Sequence, residues 1–306
     1  LELRQRAVDN DWKLNEYGLF DGDDRIAGKT EKSVYDKFGL QWPEPELREN
    51  RGEFDAAAND ELPKLIELDD IRGDLHTHTK ATDGRSDKDK MMAQCVELGY
   101  EYYAVTDHSK STRVAGGLNK NELEEHAETI RNMNDNNDKI EILAGVEVDI
   151  LEDGKLDLPD SILKELDYVV ASIHNKFDLS KKKQTKRILK AIENEYVNAI
   201  GHPLGRKINE RDAYDVDLEK IFEEAEKTNV HMELNSYPNR LDLSDIHCKT
   251  AKDMGVKIVI ATDAHSTEDL KFMKYGIGQA RRGWLEKDDV INTRKLKGLK
   301  KLLKRK

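Results

Sequence analysis

Six of the nine histidines in this chain, with three acidic residues, sit just past the ends of apolar, strand-like segments, in the pattern GDLHTHT, TDG, AVTDH, GVEVD, ASIH, AIGHP and IATDAH. The segments run alike: a few apolar or β-branched residues, then a side chain of the kind that ligates metals, as in Tyr103–His108 and Val169–His174. A parallel barrel brings the ends of all its strands to one face, so groups far apart in sequence converge there. The long stretch of chain between His76 and His265 is then no obstacle to a shared site, and a multi-metal active site is the expected product.

From Ile71 onward the chain alternates strand-like and helix-like stretches, which implies right-handed βα units and a parallel sheet. Strands are predicted at 71–76, 102–107, 141–149, 167–173, 198–201, 230–235 and 257–262. Helices are predicted near 87–98, 120–134, 181–194, 217–228 and 244–254, with Ser86 and Ser244 in cap-like positions. Seven strands rather than eight predict an α/β fold of the distorted TIM-like (β/α)7 kind, with an open doubly wound sheet as the alternative. No GxGxxG or Walker sequence follows the first strand, so nucleotide binding of those kinds finds no support. Residues 1 to about 65 read differently: a helix-like start, a loop at Asn15–Phe20, a short helix near Lys29–Phe38 and the breaker Trp42-Pro-Glu-Pro45. They predict a small, mostly helical segment that cannot form a large core alone.

The net charge of −11 argues against a basic nucleic-acid surface. It does so only weakly, because bound divalent cations are often the largest local charges in a site. Cys95 and Cys248 lie in separate helical stretches, which fits a reduced compartment rather than a disulfide framework. No apolar run approaches the roughly 20 residues a membrane helix needs, and the N-terminus has no signal-peptide pattern, so a cytoplasmic protein without a membrane partner is expected. The chain opens on Leu1 in helical character, which reads as a piece of something longer. Its other end, Arg294–Lys306, is basic, with Leu296, Leu299, Leu302 and Leu303 at near-helical spacing. It reads first as an amphipathic helix packing its leucines, and second as a phosphate contact.

His76-Thr-His78 is an HxH pair, and alternate residues of a strand face the same side, so two imidazoles can meet one ion. Alone the pair is a weak signal. Its weight comes from Asp83, His108, Glu147, His174, His202, Asp263 and His265 occupying equivalent positions. Mixed imidazole and carboxylate ligation suits Zn²⁺ or Mn²⁺. Closely spaced ions activate water and stabilise phosphoryl oxygens, so no separate protein nucleophile is required. Arg206 and Arg240 are candidates to hold a phosphate, being planar bidentate donors, with Lys110 and Lys176 behind them. His126, His231 and His247 lie in helices or at a strand start, and no catalytic role is expected for them.

GDLHTHT, TDH, a single Glu, SIH, GHP and TDAH, in this order, resemble the polymerase and histidinol phosphatase (PHP) domain. More narrowly, LNEYGLF, AGKTEKSVY, PELRENRGE, GHPLGR, PNRLDL and YGIGQARRGW resemble the C-terminal part of bacterial and archaeal family X DNA polymerases. The resemblance implies that residues 1–65 are the end of a polymerase thumb with its linker, and 66–306 a PHP phosphoesterase domain. It implies three metal ions: His76, His78, Glu147 and Asp263 around the first and catalytic among them, Glu147 bridging to a second held by His174 and His202, and Asp83, His108 and His265 around the third. It further implies a 3′-to-5′ exonuclease acting on DNA in repair, with polymerase domains in the parent chain as partners. The alternatives are a small-molecule phosphomonoesterase resembling histidinol phosphatase and a catalytically silent polymerase scaffold. The scaffold reading sits poorly with a complete set of candidate ligands.

Overall fold

The computed structural model describes residues 1–303, and the chain divides into two compact units, Leu1–Lys64 and Leu65–Lys306. In the first, α1 (Glu2–Asp9) is followed by a small antiparallel sheet of β1 (Lys13–Asn15), β2 (Gly18–Asp21) and β3 (Asp24–Ala27), then α2 (Glu31–Lys37) and α3 (Glu53–Ala58). The loop expected at Asn15–Phe20 is therefore a hairpin, with Leu14 paired to Leu19 and Asn15 to Gly18. Asn15 Oδ1 accepts from the Tyr17 amide at 2.9 Å and closes the turn. Gly18 has φ 140°, and a Cβ there would lie 2.5 Å from the Ala27 carbonyl oxygen. The strands are too short to show alternation in sequence. Tyr35, Leu40 and Ala57 form a small buried core with Leu3, Phe38, Trp42, Phe54 and Leu62 against it.

The second unit is built on seven parallel strands: β4 (Gly73–Thr77), β5 (Tyr102–Val105), β6 (Glu141–Asp149), β7 (Tyr168–Ser172), β8 (Ala199–Ile200), β9 (His231–Asn235) and β10 (Ile258–Ala261). They lie side by side in sequence order, every pair parallel. The sheet curls so that β10 meets β4 through a parallel bridge between Thr77 and Ala264, and the His78 amide donates to the Ala264 carbonyl at 2.8 Å. Deeper in the seam, Thr262 donates through its hydroxyl and its amide to the Asp74 carboxylate. At the far end, Asn292 donates to the carbonyls of Gly73 and Ile260, both at 2.8 Å, and accepts from the Ile260 amide at 3.1 Å. Side chains thus supply the hydrogen bonds that an eighth strand would have made.

Around the barrel run α4 (Lys88–Glu97), α5 (Lys120–Asp135), the one-turn α6 (Asp160–Leu163), α7 (Lys181–Ile192), α8 (Leu218–Thr228), α9 (Asp245–Asp253), α10 (Met273–Arg282) and α11 (Leu296–Leu302). Ser244 caps α9 by accepting from the His247 amide, as expected. Ser86 caps nothing. Asp87 takes that place on α4, accepting from the Lys90 amide, while the Ser86 hydroxyl accepts from the Thr267 amide at 3.3 Å. Asp87, extended and directly before the first helical residue, stands where a side chain meets the third amide, so it takes the cap.

Alternation along the strands sorts the core into two layers. Tyr103, Val105, Val169, Ala171, Met232, Leu234, Ile258 and Ile260 face outward into the large core beneath the helices. Tyr102, Ala104, Leu143, Tyr168, Val170, Ala199 and Val259 face inward and fill the barrel. The leucines of α11 join that inner layer, with Leu299 fully buried and Leu296, Leu302 and Leu303 packed beside it. The terminal helix therefore packs its leucines, and the last three residues of the basic stretch lie outside the described residues. No helix among the described residues is long and apolar enough to cross a membrane.

Candidate metal centre

The inward parity that fills the barrel with Tyr102 and Ala104 reaches His108 past the end of β5. In the same way it takes Leu143 to Glu147 on β6, Tyr168 and Val170 to His174 past β7, and Val259 to Asp263 past β10. All nine candidates come together at this carboxyl end. Eight of them are at least largely buried, Asp83 being the most exposed. Gly201, just before His202, is required by this crowding, since a Cβ there would lie 2.3 Å from Ser172 Oγ and 2.9 Å from Val170 Cγ2. Asp263 (φ 54°) and His202 (φ 28°) sit in the left-handed region. Non-glycine residues held there carry strain that the surrounding packing must impose, a pattern common at functional sites.

Glu147 is the hub. Its Oε1 lies 3.0 Å from His202 Nε2, 3.2 Å from His174 Nε2 and 3.4 Å from His76 Nε2, while Oε2 lies 2.8 Å from His108 Nδ1 and 3.6 Å from His78 Nε2. Asp263 Oδ1 stands 3.1 Å from His78 Nε2 and 3.8 Å from His76 Nε2. Asp83 Oδ2 stands 3.4 Å from His265 Nε2 and 3.5 Å from His108 Nε2. Donor atoms of three or four residues cluster tightly in three overlapping groups: His78, Asp83, His108 and His265; His76, His78 and Asp263; and His108, Glu147 and His174. His78 and His108 thus each stand between two groups, a sharing not anticipated from the sequence.

A second ring of carboxylates, which sequence reasoning missed, aims these imidazoles. Glu233 on β9 sits 2.5 Å from His76 Nδ1 and also accepts from the His202 amide at 3.0 Å. Asp149 on β6 holds His174 Nδ1 at 2.9 Å, with the Thr112 hydroxyl donating to its other oxygen at 3.1 Å. Such carboxylate–histidine pairs fix the tautomer and leave the opposite nitrogen for a metal. Both residues occupy inward parity positions, so the period of two was the available signal. Asp107 accepts from Thr79 through its amide and hydroxyl and from Thr82, bracing the loop beyond His78, and pairs with His126 Nε2 at 3.1 Å. His126 is thereby a brace between α5 and this loop. His247 sits beside Ser244 Oγ at 3.0 Å within the α9 cap.

Burial and neighbouring charge pull against each other throughout the cluster. Burial opposes charge on His108, yet Glu147 and Asp83 push it up to about 10. His174 is likewise raised to about 9 against burial, by Glu147 and Asp149. Burial, with His265 and His108 facing it, pushes His78 down to about 4. The imidazoles of His174, His108 and His76 hold the Glu147 carboxyl well below the usual range, against the effect of burial.

The residues fit divalent ions. Both nitrogens of His78, Nε2 of His76, Nδ1 of His202 and Oε2 of Glu147 are buried with no hydrogen-bond partner, although charged neighbours lie close. Buried polar atoms are ordinarily satisfied. Tetrahedral ligation with bonds of about 2 Å spaces donor atoms about 3.3 Å apart, near the separations found here. Six imidazoles and three carboxylates make a borderline donor set suited to Zn²⁺ or Mn²⁺.

The cluster floors a cleft of about 750 Å³. Arg240 reaches into it, its Nε 3.3 Å from Asp263 Oδ2 and its Nη1 buried without a hydrogen-bond partner. Arg206 does not line the cleft. Its guanidinium donates to the carbonyls of Arg240 and Leu241 and so holds the segment that presents Arg240. Lys110 and Lys176 are exposed and lie off the cleft wall, Lys176 standing 4.0 Å from Glu152. The cations that do line it, besides Arg240, are Arg85, Arg113, Lys207 and Arg211. They come from loops without strand-like flanks, which left no pattern to read.

Residues 74–237 match the PHP domain family, and residues 1–49 match the DNA polymerase beta thumb. The chain is 40% identical over 307 residues to a DNA polymerase/3′-5′ exonuclease PolX of Bacillus subtilis, an alignment covering 100% of this chain and 54% of that protein. It thus spans about half the length of that curated relative. A Thermoanaerobacter protein named "Probable phosphatase" is 34% identical over 235 residues, covering 72% of this chain and 89% of its own. A solved structure from Listeria monocytogenes, described as a "putative histidinol phosphatase", shares the fold with a TM-score of 0.52 at 17% identity, covering 65% of this chain and 97% of that one. With its seven-stranded barrel and this match across more than half its length, the chain belongs to the PHP domain family.

Proposed function

We propose that this chain is a metal-dependent phosphodiesterase that removes nucleotides from DNA 3′ ends, within a longer, cytoplasmic family X DNA polymerase engaged in repair. One observation carries the reading: nine imidazole and carboxylate groups gather in one cluster, five of the imidazoles around Glu147, with buried donor atoms unpartnered, at the floor of an open cleft. The thumb match at residues 1–49 and the likeness to a polymerase/exonuclease favour DNA as the substrate and polymerase domains as partners in the parent chain.

His76, His78, Glu147 and Asp263 would hold one ion, Glu147, His174 and His202 a second, and Asp83, His108 and His265 a third, Zn²⁺ or Mn²⁺ in each. When bound, such ions acidify water and stabilise charge on the attacking and leaving phosphoryl oxygens. Glu233 and Asp149 keep His76 and His174 in register for that task. Arg240 offers its unpartnered Nη1 to a phosphate oxygen while Asp263 and the brace from Arg206 keep it in place. Fixed donors of this kind cost no reorganisation as charge develops.

A phosphomonoesterase of small molecules is the second reading, favoured by the relatives named as phosphatases. Mn²⁺-dependent degradation of 3′-labelled and 5′-labelled oligonucleotides, beside a small phosphomonoester, separates the two. Stepwise loss from the 3′ end that vanishes in His108→Ala is the expected result. Phosphate release from the small ester alone would overturn it in favour of the phosphatase. Inactivity on both with metal bound would leave the silent scaffold.

A further inference from the structure

The outer helices of the barrel are unequal in charge. α5 carries five acidic residues against two basic, and α8 four against two, yet α7 carries six basic residues and no acidic one. Arg187 is turned inward, where it donates to the carbonyls of Ile150, Leu151 and Asn175. Lys190 donates to the Asp153 carbonyl, and Lys181 stands 3.8 Å from Asp215. Lys182, Lys183 and Lys186 point outward without an ion pair among the described residues. Beside them a shallow groove of about 390 Å³ runs between α7 and α8, walled by Lys181, Lys182 and Lys186 on one side and on the other by Lys220, which is paired with Asp217 at 2.6 Å. In a chain of net charge −11, such a face calls for an explanation.

One loop joins the face to the cleft. The loop from His174 to α7 is tied to the helix by Gln184 donating to the Lys176 carbonyl at 3.1 Å and by Arg187 on Asn175. That loop puts Asn175 and Phe177 on the cleft wall. The Arg211 guanidinium lies over the Phe177 ring, 3.8 Å from its centroid, and donates to the Gly205 carbonyl, which fixes its plane. A fixed planar cation over an aromatic ring, one loop away from a row of exposed lysines, matches how proteins hold single strands: bases stack on flat groups while spaced cations follow the phosphates.

We infer that a single strand of DNA leaves the cleft over the Arg211–Phe177 pair and runs along the outer face of α7, its phosphates meeting Lys182, Lys183 and Lys186. The inference rests on the DNA reading above and names the path of the substrate's unreacted part. The three lysines lie off the cleft wall, so they act on affinity for long strands and not on the reaction itself.

The test combines Lys182, Lys183 and Lys186→Ala in one variant of the full chain. Binding of a fluorescein-labelled oligodeoxythymidylate is followed by anisotropy across salt concentrations, and hydrolysis of the same strand and of bis(p-nitrophenyl) phosphate is measured with Mn²⁺. Each lost phosphate contact flattens the salt dependence of a single strand by about 0.7, so the slope is expected to fall by about 2. KM for the long strand rises roughly tenfold with kcat unchanged, and hydrolysis of the small diester is unaltered. A chain that degrades DNA with the same slope and KM in the variant overturns the track alone. A parent chain that hydrolyses the small diester but neither binds nor degrades DNA overturns the track together with the DNA reading.

Discussion

The two ends of the barrel are made by the same seven strands and the same alternation, yet they are opposite in character. At the amino end the inward positions are Leu75, Tyr102, Leu143, Tyr168 and Ala199, and α11 closes the barrel with Leu299. The Tyr102 hydroxyl donates to the Arg294 carbonyl, and Asn198 and Asn229 donate to the carbonyls of Leu303 and Leu302, so these three carbonyls of the plug find donors. At the carboxyl end the same rows pass into His108, Glu147, His174 and Asp263, with unpartnered donor atoms and two residues in the left-handed region. One end is packed for stability and the other gathers imidazoles and carboxylates beneath a cleft. A barrel keeps these roles apart because its core layers insulate the site from the closure beneath.

If this division holds, changes at the two ends fail in different ways. Glu147→Gln is expected to have the largest effect, a loss of activity on the order of 10³-fold with lower metal content by elemental analysis, since several kcal/mol of charge stabilisation depend on that site. Full activity in this variant would dismiss the hub role. Leu299→Ala at the other end should lower stability by about 2–5 kcal/mol, read as a fall in Tm, because it leaves a cavity under the barrel. Metal content per folded molecule stays unchanged, and a parallel loss of metal would mean that the ends are coupled.

Smaller effects sharpen the contrast. Asp149→Asn, which loosens His174, is expected to cost about 10–100-fold in metal affinity or activity, with the fold retained. A metal titration indistinguishable from the parent would remove Asp149 from the site's support. Neighbouring carboxylates raise His108 and His174 to about 10 and about 9, so metal binding at neutral pH is expected to displace protons from both. Affinity should therefore rise with pH, by about tenfold per unit for each proton displaced, levelling off only above those values. Calorimetry in buffers of different ionisation enthalpy measures the release, and none at pH 7 would contradict these protonation states. Lys297→Ala, on the solvent side of the α11 plug, should change stability by less than about 0.5 kcal/mol and leave hydrolysis, whatever its substrate, untouched.

The nine histidines and carboxylates were legible because each follows a strand, where an apolar run that stops at a polar side chain is a strong local pattern. Glu233 and Asp149 stand in the same rows, but inside strands. Nothing local distinguishes a buried carboxylate that orients a histidine from an ordinary polar residue until the neighbour 157 or 25 residues away is in place. Arg206 looked like a phosphate ligand from its place after the GHP segment, and its donors go instead to the carbonyls of Arg240 and Leu241. Asn292, which joins Gly73 to Ile260 across the seam, is invisible in sequence for the same reason.

What the sequence determined by itself follows from periodicity: seven strands, five of the helices between them, parallel order, and the strand ends on which the candidate ligating side chains fall. These depend on residues a few positions apart, within reach of local propensity and the alternation of faces. Tertiary structure alone decided how β10 closes on β4 without an eighth strand, which carboxylates aim the imidazoles, which arginines face the cleft, and that a terminal amphipathic helix becomes the floor of the barrel. Each of these rests on contacts between distant segments, whose partners exist only once the chain has closed.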